Sequence, residues 1–373
     1  NAFYRYGSGT SELAFIYAIQ PGDEDSNGVK MNSAIALNNG LLKDEYANDV
    51  SLILITGNTV GILVDAVPPS IKNISVPVSK LYKEADTLDF IFRFTEKIFV
   101  TAGTETATLS LTVGTAIRSA VYSGGNKSDS LLFRYIIQSG DSDKDGIKIS
   151  TTLTLTGAGI KDIAGNISSL TFNLPSTKNI MVDAVPPTVT SVTTPAAAFY
   201  KTGTALDFIV VYSEKVLVNM AAAPPFLSLN IGSKLRNALY ISGTGSSNLL
   251  FRYTVQADDM DMDGIELSST INLNNATIQD EAGNPASTVL NNAGSLRNII
   301  INPVTIAVKN MTLPPQGIYK TGDTLVFIAG FTGKVMATTA TGIPSLKLTI
   351  GNTSKNAFYR YGSGTSELAF IYA

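Results

Sequence analysis

The sequence predicts an all-β chain: tandem Greek-key β-sandwich modules strung into a rod or filament. Three observations predict it. Residues Asn1–Ala18 (NAFYRYGSGTSELAFIYA) recur letter for letter at Asn356–Ala373, a period of 355 residues, and self-similarity at a fixed period marks an array. A shorter repeat divides that period, because VDAVPP at Val64–Pro69 returns at Val182–Pro187, 118 residues on. Apolar residues alternate with period two in Leu88–Phe94 and Thr108–Val113, and no stretch carries a capped helical stripe.

Each element of a module follows in order. A Tyr-Lys start opens a long strand: LYKEADTLDFIFRF from Leu81, FYKTGTALDFIVVY from Phe199 and IYKTGDTLVFIAGF from Ile318. An aromatic strand pair comes later, from Ser119, from Asn237 and from Asn1. Its turn is punctuated by glycine, as at Ser123-Gly124-Gly125 and Ser242-Gly243. An acidic loop and a second turn close the unit. The landmarks place module B at 70–187 and module C at 188–303. Module A is split: its first part is 304–373 and its C-terminal part is 1–69. About seven short strands per module, with regular turns, fit a sandwich of immunoglobulin type lacking the Cys-Trp-Cys signature. A solenoid would need a period of roughly 20–30 residues, and none is present. Residues 1–69 lack the first strands of a sandwich and 304–373 lack the last, so neither is expected to be stable alone. Either the chain is a stretch of a continuous filament, or a neighbouring copy completes each half.

Composition narrows the function. The chain is 44% hydrophobic and 15% charged, with net charge −3 and no Cys, His or Trp. Without His or Cys, the Ser-His-Asp and Cys-His nucleophile systems are excluded, and no enzyme is expected. Paired-carboxylate chemistry stays formally open, but the acids fall in metal-like clusters. No basic patch points to nucleic acid or an anionic membrane. No apolar run reaches the roughly 18 residues that suggest a membrane span.

The acidic loops are Asp23-x-Asp25-x-Asn27-Gly28, Asp141-x-Asp143-x-Asp145-Gly146 and Asp259-x-Asp261-x-Asp263-Gly264. Alternate carboxylates on a tight turn suit a hard cation, and calcium fits this flexible oxygen set better than magnesium. A helical calcium hand would place Glu at loop position twelve, where Ala34, Thr152 and Thr270 stand instead. A further ligand is therefore sought elsewhere. Asp44, Asp162 and Asp280 lie a constant 21 residues after the first Asp of each loop, and each is expected to share that loop's cation. The alternative is a solvated loop built on Asx turns. Affinity for calcium would be on the order of 10⁻⁴–10⁻³ M, as in extracellular modules.

A second constellation lies at the module linkers. Asp65 precedes Glu96 by 31 residues, and Asp183 precedes Glu214 by the same interval. At the third junction the equivalent positions are Asn302 and Gly333, so both acids are lost together. A linker Asp and a Glu of the next module are expected to share a cation, with Pro-Pro stiffening the connection. The junction at Asn302 is expected to be looser. The alternative is that these acids hydrogen-bond loop amides.

With its VDAVPP linker, Tyr-Lys-x-Gly start, Ser-Glu-Lys after the strand, Asp-rich turn and Asp-x-Ala-Gly-Asn turn, the chain resembles the immunoglobulin-like repeats of giant bacterial surface adhesins, of the biofilm-associated and RTX types. Module A departs at Tyr46-Ala47-Asn48-Asp49. The resemblance implies a secreted, calcium-stiffened structural extender at the cell surface or in the extracellular matrix, whose partners are neighbouring copies of the same repeat. Two alternatives stand beside it. The repeats could themselves bind a surface glycan or a host or biofilm ligand, with Tyr4, Tyr6 and Tyr122 stacking on sugar, although cross-strand pairing is the plainer role for these rings. Or arrays could pack laterally, with strand exchange, into a fibre or sheath.

Overall fold

The computed structural model describes residues 1–101, 107–157, 159–220 and 223–373, and the described residues form strands, bridges and turns with no helix. The chain is all-β, and its two complete modules are immunoglobulin-like sandwiches. It divides into two compact units, Asn1–Pro187 with Gln279–Ala286, and Thr188–Ile278 with Ser287–Ala373.

In the first unit, the alternation in LDFIFRF becomes the long strand Thr87–Thr101, which buries Leu88, Phe90, Phe92 and Phe94 and turns the residues between them outward. Strands Thr108–Val113, Ala116–Gly124 and Ser128–Ile136 form a meander, and the last returns beside Thr87–Thr101 with Phe90 opposite Phe133. That return makes the sheet a Greek key. Ile71–Ser75 pairs with Thr87–Thr101, and Lys148–Thr154 pairs with Thr108–Val113. A smaller sheet joins Ser142–Asp143, Ile180–Asp183 and Lys80–Tyr82, the last two in parallel with Leu81 opposite Met181. Tyr82, Ile180 and Val182 of this small sheet share one core with Phe90, Phe92 and Phe133 of the large one. Phe92 meets Phe133 and Phe172 edge-on, with centroids at 5.2 and 5.1 Å. At the hairpin, Gly125 has φ +101°, and a Cβ there would lie 2.0 Å from the Ser130 carbonyl oxygen. Only glycine fits that turn.

Residues 1–69, also in this unit, are sparser. Phe3–Tyr6 pairs with Ala14–Ile16, Glu24–Asp25 pairs with Val64–Asp65, and single bridges join Ala34 to Ile53 and Lys43 to Asp49. Leu41, Ile53 and Ile55 lie exposed.

The second unit repeats the pattern. Val189–Thr193, Ala205–Asn219, Ser246–Thr254, Lys234–Ser242, Phe226–Ile231 and Glu266–Asn272 follow one another across one sheet, and Phe199 pairs in parallel with Ile300. Residues 304–373 reproduce its first five strands in the same spatial order: Val308–Thr312, Leu325–Val335, Thr365–Tyr372, Thr353–Tyr361 and Ser345–Ile350. Their buried core is small, consisting of Ala329, Ala357, Leu368 and Phe370. The aromatics singled out for sugar stacking sit in cross-strand pairs: Tyr4 lies edge-on to Phe15 at 6.2 Å, and Tyr122 to Phe133 at 6.1 Å.

Candidate metal centre

The acidic loops hold their own carboxylates. Asp141, 1% exposed, accepts hydrogen bonds from Arg118 Nε at 2.9 Å, from the Gln138 amide at 3.0 Å and from the Tyr135 hydroxyl. Asp259 repeats the set with Arg236 Nε at 2.8 Å, the Gln256 amide at 2.7 Å and Tyr253 at 2.5 Å. In module A, Asp23 accepts from Tyr17 at 2.6 Å and from the Gln20 amide at 2.8 Å, and these donors hold its pKa below the usual aspartate value. Burial first, and then Asp141, push the Tyr135 phenol up to about 12.

The second acid of each loop ties down the turn. Asp143 accepts from the amides of Gly114 at 2.6 Å and Gly146 at 2.7 Å, Asp261 from Gly232 at 2.7 Å and Gly264 at 2.8 Å, and Asp25 from Asn27 and Gly28. The third residues, Asn27, Asp145 and Asp263, are exposed. These loops are Asx turns satisfied from within. The signal for this lay in the sequence: a Tyr stands six residues before the first Asp in all three modules, at Tyr17, Tyr135 and Tyr253.

Asp162 was expected to join Asp141, Asp143 and Asp145. It faces the linker instead. Carboxylate oxygens of Asp65, Glu96 and Asp162 lie within 4.8 Å of one another. Among the described residues of this unit, no such group includes Asp23, Asp25, Asp44, Asp141, Asp143 or Asp145. The physical reason is that the loop carboxylates are already turned onto Arg, Tyr and backbone donors. Three elements build the linker group. Asp65 ends the short strand Val64–Asp65 ahead of Pro68-Pro69, and Glu96 stands on the long strand Thr87–Thr101. Asp162, 2% exposed, heads the DIAGN turn. That turn clamps Asp162 with the amides of Gly165 at 2.7 Å and Asn166 at 2.9 Å and with Asn166 Nδ2 at 2.7 Å. The same Nδ2 reaches the Asp65 carbonyl at 3.1 Å. Asn166 thus hooks linker to turn, a role the sequence reading did not assign.

The electrostatics of this group are unfavourable as they stand. Burial first, then Asp65, Asp162 and Glu24, raise the pKa of Glu96 above its usual value. Like charges this close disfavour full ionisation unless a cation is shared. The donor set is all oxygen and fits a hard divalent ion.

The same positions recur 118 residues later as Asp183, Glu214 and Asp280. Each is described within its own unit. Asp183 ends the strand Ile180–Asp183, and its carbonyl accepts from Asn284 Nδ2 at 2.8 Å. Asp280 is buried and accepts from the Asn284 amide at 2.8 Å and from Asn284 Nδ2 at 2.7 Å. Glu214 lies half-buried on Ala205–Asn219. Asp44 of module A is exposed and accepts from Asn48 and Tyr46, and those bonds, Asn48 first, lower its pKa.

The junction at Asn302 is built differently. Ile306, at the position of Pro69 and Pro187, lies over Gly333, where a Cβ would come 2.4 Å from Ile306 Cδ1. An aliphatic contact takes the place of the carboxylates.

No family model matches the chain, and no curated protein matches it. Among solved structures it is similar to the FN1–FN3 domains of chicken CNTN1, at 8% identity and a TM-score of 0.26, over 81% of this chain and 88% of that one. A likeness this low carries no argument about function. Among the described residues, no helix is long and apolar enough to cross a membrane.

Proposed function

We propose that this chain is a structural extender: part of a secreted, repetitive bacterial surface adhesin or extracellular filament whose module junctions are stiffened by calcium. The observation that carries the reading is the linker group of Asp65, Glu96 and Asp162, which brings together carboxylates from a linker and from the module it leads into. Calcium, with its 6–8 flexible oxygen ligands, suits three carboxylates with water completing the shell better than magnesium does. A cation bound there ties the linker Asp to the strand and turn beyond it, so the joint loses bending freedom. Asp183, Glu214 and Asp280 make the next junction by sequence equivalence, whereas the Asn302 junction would hold without metal. The acidic loops serve as internal supports in this reading. Calcium titration followed by small-angle scattering tests it. The maximum dimension should rise with calcium and fall with chelator, and Glu96→Gln with Asp162→Asn should abolish the response. No change with calcium in the unsubstituted chain would sink the proposal.

A further inference from the structure

Residues 304–373 and 19–69 are each folded as part of a sandwich, and each leaves open the face that the other part covers in an intact module. Residues 304–373 reproduce the first five strands of 188–303, but among the described residues nothing pairs the outer edge of Ser345–Ile350. In the intact modules that edge is occupied by Lys148–Thr154 and by Glu266–Asn272. Residues 19–69 reproduce the later pairings of 70–187. Asp25 opposite Val64 matches Asp143 opposite Val182, Ala34–Ile53 matches Thr152–Thr171, and Lys43–Asp49 matches Lys161–Ile167.

We propose that residues 19–69 of one copy of this chain complete residues 304–373 of another, closing a third sandwich between copies. Both intact modules dictate the same register. Leu109 and Leu111 face Leu153 and Ile149, while Leu227 and Leu229 face Ile271 and Leu267. Leu346 and Leu348 therefore take Ile35 and Met31 of the second copy. Leu81 pairs with Met181 and Phe199 with Ile300, so Ile318 takes Leu63. These two side chains are now 102% and 61% exposed.

The polar groups agree independently. Asp143 Oδ2 accepts from Gly114 N and Asp261 Oδ2 from Gly232 N, and the equivalent pair is Asp25 and Gly351. Among the described residues Asp25 uses only Oδ1. Arg118 and Arg236 hold Asp141 and Asp259, and Lys355 stands where they do. Lys355 makes no ion pair among the described residues and would take Asp23. Two apolar pairings, one amide bond and one ion pair thus point to a single occupant.

The hairpin 1–18 does not fill the same seat. It leaves a cavity of ≈ 210 Å³ between Tyr4, Leu13 and Phe15 and the residues Ile35, Leu37 and Leu42. In assembly it gives way to the identical hairpin 356–373 of the other copy, which arrives with its neighbouring strands attached.

This inference rests on reading the chain as an array element, but it does not need calcium, so it is tested with chelator present. The chain has no cysteine, so single thiols report cleanly. Full-length Ile318→Cys and Leu63→Cys chains are mixed, oxidised and run without reductant, because paired strand positions lie within disulfide reach. A cross-linked dimer should form, and sedimentation of the unsubstituted chain should shift from monomer to multiples with concentration. Lys355→Glu should cause loss of that shift. A chain that stays monomeric, or a matched pair no better cross-linked than Ile318→Cys with Ile55→Cys, overturns the proposal. Calcium stiffening is read separately, so either idea can fail without the other.

Discussion

Asp141 separates a structural acidic loop from a metal-binding one. In Asp141→Asn the side chain keeps an acceptor oxygen but loses its charge and presents an NH₂ to donors. It now takes the Arg118 guanidinium through Nε at 2.9 Å and Nη2 at 2.8 Å, together with the Gln138 amide and the Tyr135 hydroxyl. Breaking a buried charge pair costs about 3–5 kcal/mol. The Arg118 side chain is 31% exposed and can rehydrate, so the low end applies, about 3 kcal/mol. Against a total of about 5–15 kcal/mol for a domain, that is a large loss. Urea denaturation followed by circular dichroism measures it, with and without calcium. The loss should be the same in both conditions. The Tyr135 phenol should also titrate lower, since Asp141 helps to hold it near 12. If Asp141→Asn instead removes a calcium-dependent gain in stability while Asp162→Asn leaves that gain intact, the assignment of loop and junction is wrong.

Asn166→Ala should weaken calcium stiffening while leaving all three carboxylates in place, because the hook between linker and turn is lost; equal stiffening by scattering would count against that role. In metal-free protein the raised pKa of Glu96 means the folded state binds more protons than the unfolded one. Stability at this site should therefore fall as pH rises from the usual glutamate value through the raised one. Saturating calcium should abolish that fall, and denaturation at several pH values with and without chelator would show a fall that persists if no metal binds. Phe92→Ala removes a ring packed on Phe133 and Phe172 and should cost about 3–5 kcal/mol; a thermal midpoint within a degree or two of the unsubstituted chain would contradict the core. The Asp89–Arg134 cross-strand pair, with bonds of 2.7 Å but side chains about 40% exposed, should be worth only about 0.2–1 kcal/mol in a double-mutant cycle.

The strands were legible because their code is local. Period-two alternation located Leu88–Phe94, and the Gly-bearing turns located the hairpins. The linker acids were legible too, through the fixed interval of 31 residues from Asp65 to Glu96 and from Asp183 to Glu214. What misled was the interval of 21 residues from Asp141 to Asp162. A constant spacing shows that two positions are fixed in the fold, not that they face each other. The competing donors Arg118 and Tyr135 arrive from neighbouring strands, and Asp65 reaches Asp162 from 97 residues away.

The repeated eighteen residues draw the line between the two kinds of information. Phe3, Tyr4 and Tyr6 pair with Ile16, Phe15 and Ala14, and Phe358, Tyr359 and Tyr361 pair with Ile371, Phe370 and Ala369. The register and its shift are the same in both copies, and the tyrosine hydroxyl accepts the same turn amide, from Ser8 at 2.8 Å and from Ser363 at 3.0 Å. Sequence by itself determined that hairpin, because its turn and cross-strand contacts are all internal to it. Burial was not determined so: Phe15 is 40% exposed and its twin Phe370 only 6%. Burial depends on what other chain segments bring to the face. Leu325–Val335 lies beside the second copy of the hairpin and buries that ring, whereas no equivalent strand stands beside the first. Tertiary structure likewise decided which carboxylates meet, since convergence on a point is a property of the assembled sandwich and not of any interval along the chain.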